Sequence, residues 1–231
     1  MQVNREYRHF CPMARALELV GERWGLLIVR DLLDGDQRFS DLLRSCGGVT
    51  HRQLSARLRQ LEEAGIVERD RKPGRREVRY RLTPAGRELR PAVEALLLWG
   101  VRHAGRPPAE DEPIRPSHLL NGTRLALDAA GAPVAPPVRW TWRIPGEPYT
   151  LRFDGRSWRL SPGEEPDAEV VVETTPRAWA ELVMAPHGAR PAGGALRLCG
   201  DPGRVREFAA AFGIAPAADG VPAAGSGSSF R

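Results

Sequence analysis

The feature that most restricts this chain is the run THRQLSARLRQLEEAG, Thr50 through Gly65, which follows the glycine pair Gly47-Gly48. Leu54, Leu58 and Leu61 recur at i, i+4 and i+7, the period of one helix face. Thr50 and Gln53 stand at capping-box spacing, and Gly65 is the residue type that ends a helix. Glycine tolerates positive φ, so Gly47-Gly48 predicts a tight turn before the helix. With the leucines inward, Arg52, Gln53, Ala56, Arg59 and Gln60 fall on the far side, with His51 and Ser55 nearer the margin.

The flanking segments limit what such a helix can belong to. Upstream, WGLLIVRDLLDG is dense in Leu26, Leu27, Ile28, Val29, Leu32 and Leu33 and predicts a buried helix stopping at Gly35. RFSDLLRSC predicts a short helix that Ser40 caps and that carries Leu42 and Leu43. Downstream the period changes from helical to alternating. Val78, Tyr80 and Leu82 alternate with Arg79 and Arg81, and residues 66–71 precede them across Lys72-Pro73-Gly74-Arg75. Proline then glycine suits the centre of a type II turn, so a two-stranded hairpin with a basic tip is predicted. Thr83-Pro84 then opens TPAGRELRPAVEALLLWGVRHAG, a helix with a kink expected at Pro91. Its later half is apolar on two sides, Val93, Leu96 and Leu97 on one and Ala95, Leu98 and Trp99 on another. Such a helix needs two neighbours, its own domain and the same helix of a second subunit.

Helix, glycine turn, longer helix and basic hairpin is the order of a winged helix-turn-helix, whose second helix enters the DNA major groove. Thr50, His51, Arg52, Gln53, Ser55, Ala56 and Arg59 are the candidate groove residues. Arginine suits guanine and glutamine suits adenine through paired hydrogen bonds. Arg57 and the wing residues Arg71, Lys72, Arg75 and Arg76 are assigned to phosphates, which set register more than sequence. Charge supports a polyanionic partner. Of 34 basic residues 33 are arginine, which GC-rich coding alone would favour, but their distribution is uneven. Residues 1–106 hold 21 basic and 14 acidic side chains; the remainder holds 13 and 15. Coding bias would act on both halves, so the excess marks the first as the one that meets a polyanion, which the helix order makes double-stranded DNA.

The runs CPMARALELVGERWGLLIVRDLLDGDQRFSDLL, LSARLRQLEEAGIVERD, VRYRLTPAGREL and the closing WG resemble HxlR-type winged-helix transcriptional regulators, in order, over about residues 8–103. The resemblance implies a homodimer on a near-palindromic operator. Half-sites are then expected ~10 bp apart or a multiple of that, because two recognition helices related by a dyad meet successive grooves.

The chain of 231 residues has room for a second domain. The stretch GRPPAEDEPIRP predicts a linker at 106–117. Beyond it the pattern predicts a helix near 119–129 and strands at 138–144 and within 149–160 around an Asp154-Gly155 turn. A strand at 169–173, a helix at 176–184, a strand at 195–199 and a helix at 203–212 complete the region. SWRLSPGEEPDAEVVVETTPRAWAELV and GALRLCGDPGRVREFAAAFGI resemble sterol-carrier-protein-like domains, which pack helices on a sheet around an apolar cavity. The order departs from that pattern at MAPHGARPAGG. The expected class is α+β: a winged helix-turn-helix domain at 1–105 and a C-terminal α/β sterol-carrier-protein-like domain at 118–214. Residues 215–231 are small and polar and are expected to be disordered. Trp140, Trp142, Phe153, Trp158, Trp179, Phe208 and Phe212 are either core packing or the wall of a pocket for a hydrophobic small-molecule effector.

Other functions are weighed on single residues. Cys11 precedes Pro12 at an expected helix start, where the first-turn amides favour negative charge. In proteins resembling this family a cysteine there sometimes senses oxidants or electrophiles. Cys11 is read mainly as a structural residue that starts and packs the helix, with no second cysteine adjacent in sequence to resolve it; a redox- or electrophile-sensing repressor acting through Cys11 is the alternative. Cys11, Cys46 and Cys199 form no CxxC pair, so no metal site is expected. There is no GxSxG, HExxH or phosphate-cradling glycine loop, and the histidines are dispersed, so no catalytic residues and no cofactor are assigned. No apolar run approaches the ~20 residues that span a bilayer, and MQVNREYRHF lacks a signal core; a cytoplasmic protein without a membrane partner is expected. A lipid-binding carrier whose first half only dimerises stands as a further alternative.

Overall fold

The computed structural model describes residues 7–8, 10–70, 77–131, 134–184 and 196–214. Two units divide between Leu97 and Leu98, inside a helix, where the sequence places the boundary after residue 105. In the first unit the helix α1 (Pro12–Val20) leads to α2 (Gly25–Leu33), β1 (Gln37–Arg38), α3 (Phe39–Ser45) and α4 (His51–Glu63). Then come β2 (Val67–Asp70), β3 (Arg79–Leu82), α5 (Pro84–Arg87) and α6 (Arg90–His103).

Leu54, Leu58 and Leu61 of α4 are fully enclosed against Ile28, Val29 and Leu32 of α2 and Leu42 of α3 in one cluster. Burying a leucine side chain is worth about 1.5–3 kcal/mol, so the seam alone orients α4. Gly65 turns the chain out of α4 at φ +68°, and Ile66 N–H closes back on Leu61 O at 2.9 Å. The hairpin pairs Val67 with Leu82 and Asp70 with Arg79; its basic tip, with Arg71, Lys72, Arg75 and Arg76, lies outside the described residues.

Three local expectations change. α3 starts at Phe39 and not after Ser40, because the Asp41 carboxylate accepts the Arg38 N–H at 3.3 Å and caps the helix earlier. β1 adds an unexpected strand, pairing Gln37 with Tyr80. The last helix is split rather than bent: α5 ends at Arg87 and α6 restarts at Arg90. Pro91 has no N–H to donate into the preceding turn and is accommodated in the first turn of a new helix.

The second unit holds α7 (Pro116–Ala130), β4 (Val138–Arg143), β5 (Tyr149–Phe153), β6 (Trp158–Pro162), β7 (Val170–Thr174), α8 (Pro176–Met184), β8 (Leu196–Gly200) and α9 (Pro202–Ala211). The sheet order is β6-β5-β4-β7-β8, with β4 and β7 parallel and the other pairs antiparallel. Trp140, Trp142, Leu151, Val170 and Val172 project to one face and pack with Leu120, Trp179 and Phe208 from the helices. On the other face Arg143 bonds to Glu164 at 3.0 Å and to Glu173 at 2.9 Å, and that arginine holds the Glu164 carboxyl below its ordinary value. The expected linker is tied down: the Arg177 guanidinium donates to the carbonyls of Pro108, Ala109 and Glu110 at 3.2, 2.9 and 2.9 Å. Helix α7 begins at Pro116, three residues before its expected start. The tail expected to be disordered lies outside the described residues. No helix among the described residues is long and apolar enough to cross a membrane.

Candidate nucleic-acid interface

The presented face of α4 follows from its caps and its seam. Thr50 Oγ1 accepts the Gln53 N–H at 3.2 Å, and Gln53 Oε1 accepts the Thr50 N–H at 3.0 Å. The two side chains thereby satisfy donors that a helix start leaves open. Thr50, His51, Arg52, Gln53, Ser55, Ala56, Arg59 and Gln60 are exposed. His51 is held against the ring of Phe39, centroids 5.8 Å apart, so α3 steadies the first residue of α4.

Two expected roles change. Arg57 does not present its charge to solvent. Its Nη2 bonds Glu22 Oε2 at 2.9 Å, and the two side chains are 13% and 21% exposed. Position 57 is three residues after Leu54 and one before Leu58, on the margin of the buried seam. Its inward placement was therefore legible in the spacing, although its partner, 35 residues away, was not. Gln53 also differs from the adenine reader expected. Its amide oxygen already accepts from Thr50 N and lies 3.0 Å from Thr50 Oγ1. Adenine recognition needs that oxygen and the amide nitrogen together, so capping and two-bond readout compete for one side chain.

The wing base offers little uncompensated charge. Arg69 pairs with Glu62 at 2.5 Å, Arg81 with Glu68 at 2.9 Å, and Arg38 with Glu77. Arg52 and Arg59 make no ion pair among the described residues, so on α4 the positive potential is concentrated on the outward face. A polar, cationic helix face of this kind, held by a leucine seam and followed by a hairpin, defines a winged helix-turn-helix.

The other candidate residues have plain surroundings. Cys11 is the residue before α1, in extended conformation and half-buried; its carbonyl accepts the Arg15 N–H at 3.1 Å, and it is a free thiol. Trp140, Trp142, Trp158, Trp179 and Phe208 are enclosed and in contact with one another, with Phe153 stacked on Trp158 at 5.0 Å and Phe212 at the edge of the cluster. Those rings fill the core of the second unit. No cluster of His, Cys, Asp and Glu among the described residues could hold a metal ion.

Residues 19–107 match the family described as HxlR-like helix-turn-helix. An uncharacterized HTH-type transcriptional regulator of Mycobacterium tuberculosis strain H37Rv, Rv3095, is 46% identical over 113 residues, 48% of this chain and 68% of that protein. YtfH of Escherichia coli K12, also named an HTH-type transcriptional regulator, is 41% identical over 90 residues, 38% of this chain and 71% of that protein. A solved structure titled as the redox regulator HypR in its oxidized form is 35% identical, covering 40% of this chain and 97% of that one, with a TM-score of 0.39. The chain belongs to the HxlR family of DNA-binding, helix-turn-helix transcriptional regulators. The family match ends at residue 107, before α7 and the five-stranded sheet of the second unit.

Proposed function

We propose that the protein acts as a homodimer on a near-palindromic operator, under control of a small hydrophobic effector taken up by the second unit. The outward face of α4 carries this reading: Arg52 and Arg59 are exposed there, without ion pairs among the described residues, while the leucines hold the helix from behind. Arg52, in the first turn, is assigned to base edges, with Ser55 and Ala56 beside it and Arg59 one turn further on. Thr50 and Gln53 fix the start of the helix, His51 lies beside them, and the wing cations Arg71, Lys72, Arg75 and Arg76 are assigned to phosphates.

The second subunit is argued from α6. Val93 is buried, but Leu96 and Trp99 are 53% and 57% exposed, while Phe10, two residues before α1, and Met13 of α1 are 98% and 64% exposed. Apolar side chains of that size on two helices favour a self-complementary contact. Selection from a random duplex library should return a two-fold symmetric sequence. Arg52→Ala together with Arg59→Ala should lose the preference for it over random DNA. A selected site without symmetry would count against the dimer, and retained preference in the double variant against the readout face.

A further inference from the structure

In the core of the second unit Trp140, Trp142 and Trp179 crowd together. Trp179 Nε1 donates to Thr123 Oγ1 at 3.1 Å. The Nε1 atoms of Trp140 and Trp142 are buried and have no hydrogen-bond partner among the described residues, although both side chains are 0% exposed. Native cores satisfy nearly all buried donors, so two unsatisfied indoles on one strand call for an explanation. Residues 140 and 142 are two apart on β4, so both indoles stand on the helix-covered face, about 7 Å apart along the strand.

The surroundings define what could accept from them. Leu120, Leu151, Val170, Val172 and Leu182 belong to the same core, and among the described residues no ionisable side chain of this unit is buried. A carboxylate there would be desolvated with no cation to pair it, so the acceptor must be uncharged. A partly buried ring of the cluster stands at the end of α9. Phe212 caps that helix, is only partly buried, and meets Trp142 and Trp179 edge-on at 6.2 and 5.0 Å. Its ring is the cover that can leave without breaking the sheet.

We infer that Trp140 and Trp142 form a binding site for a neutral, apolar molecule bearing a carbonyl or ether oxygen, which displaces Phe212 and accepts from one of the two indole N–H groups. This rests on reading the second unit as the effector-binding part, and it excludes fatty-acid carboxylates as ligands.

The test uses the full chain and three matched kinds of probe. Acetylnaphthalene and methyl nonyl ketone are neutral acceptors, ethylnaphthalene and undecane keep the shape without the oxygen, and naphthoate and decanoate add a charge. Indole N–H resonances are followed by NMR and assigned with Trp140→Phe and Trp142→Phe. A ketone is expected to move at least one of the two resonances downfield and to bind roughly tenfold or more tightly than its hydrocarbon match, with the acids weakest. Phe212→Ala, which leaves both indoles in place, is expected to tighten ketone binding. Equal binding of ketone and hydrocarbon, or two resonances that respond to neither ketone because each N–H rests on a ring face, would overturn the inference. Operator affinity is measured on the same samples. Ketone binding that leaves it unchanged contradicts effector control while supporting the site; absent ketone binding removes the site and leaves DNA recognition by α4 standing.

Discussion

Replacing Arg57 with methionine separates two roles that give opposite signatures. As a phosphate ligand, Arg57 would release about one counterion, and its loss would reduce the slope of log affinity against log salt by about 0.9. As the partner of Glu22 it should leave that slope alone and lower stability instead. The pair lies at 2.9 Å with side chains 13% and 21% exposed, between the surface and the interior. Surface pairs contribute ~1 kcal/mol or less, and breaking buried ones costs about 3–5. A loss of about 2 kcal/mol is expected for Arg57→Met, which keeps most of the apolar stem. For a domain of about a hundred residues that is a fall of roughly 8–16 °C in the midpoint of the first unit's thermal transition. A double-mutant cycle with Glu22→Gln should recover most of the loss as coupling between the two sites. Titrations at several salt concentrations complete the assay. A slope change near 0.9 with an unmoved midpoint would refute the inward assignment.

Other expectations concern separate parts of the molecule. Arg52→Ala should cost about 1–3 kcal/mol on the selected operator and relax specificity at one base pair, whereas Arg75→Ala should weaken all sequences alike; affinities on operator and random DNA tell them apart. Gly86→Ala should destabilise the first unit by about 1–3 kcal/mol in urea unfolding, because a Cβ there would stand 2.2 Å from the Ile66 backbone carbonyl. Trp99→Asp should dissociate the dimer in sedimentation measurements while the monomer stays folded. Glu164 titrates below its ordinary range because Arg143 bonds its charged form. Its contribution is therefore present above the unfolded carboxylate value and lost as pH falls through the lower folded one. The second unit should lose stability in that acid window, and Arg143→Met should flatten the loss.

The elements that could be read from sequence are those whose reason is local. The α4 seam, its Thr50 and Gln53 cap, its Gly65 stop and the alternation of β3 each rest on residues only a few positions apart. What escaped reading depends on residues brought together by folding. The Arg57–Glu22 pair joins α4 to the turn before α2, and β1 has two residues, too few to show a period, yet it completes a three-stranded sheet. The parallel pairing of β4 with β7 is invisible to strand pattern alone. Gln53 shows a different limit. Both its cap and its readout roles fit its residue type, and only the occupied amide oxygen shows that they compete. Pro91 marked a disturbance in the last helix, but whether the chain bends or restarts depends on packing around it.

The outward face of α4 is tested most directly by placing a photoreactive phenylalanine analogue at Ala56, which is exposed between Arg52 and Arg59, and irradiating the complex with the selected duplex. Efficient crosslinking to bases inside one half-site is expected, with little from the same group at the exposed Glu181 of α8. Bound DNA that crosslinks from position 181 and not from position 56 would contradict recognition by α4.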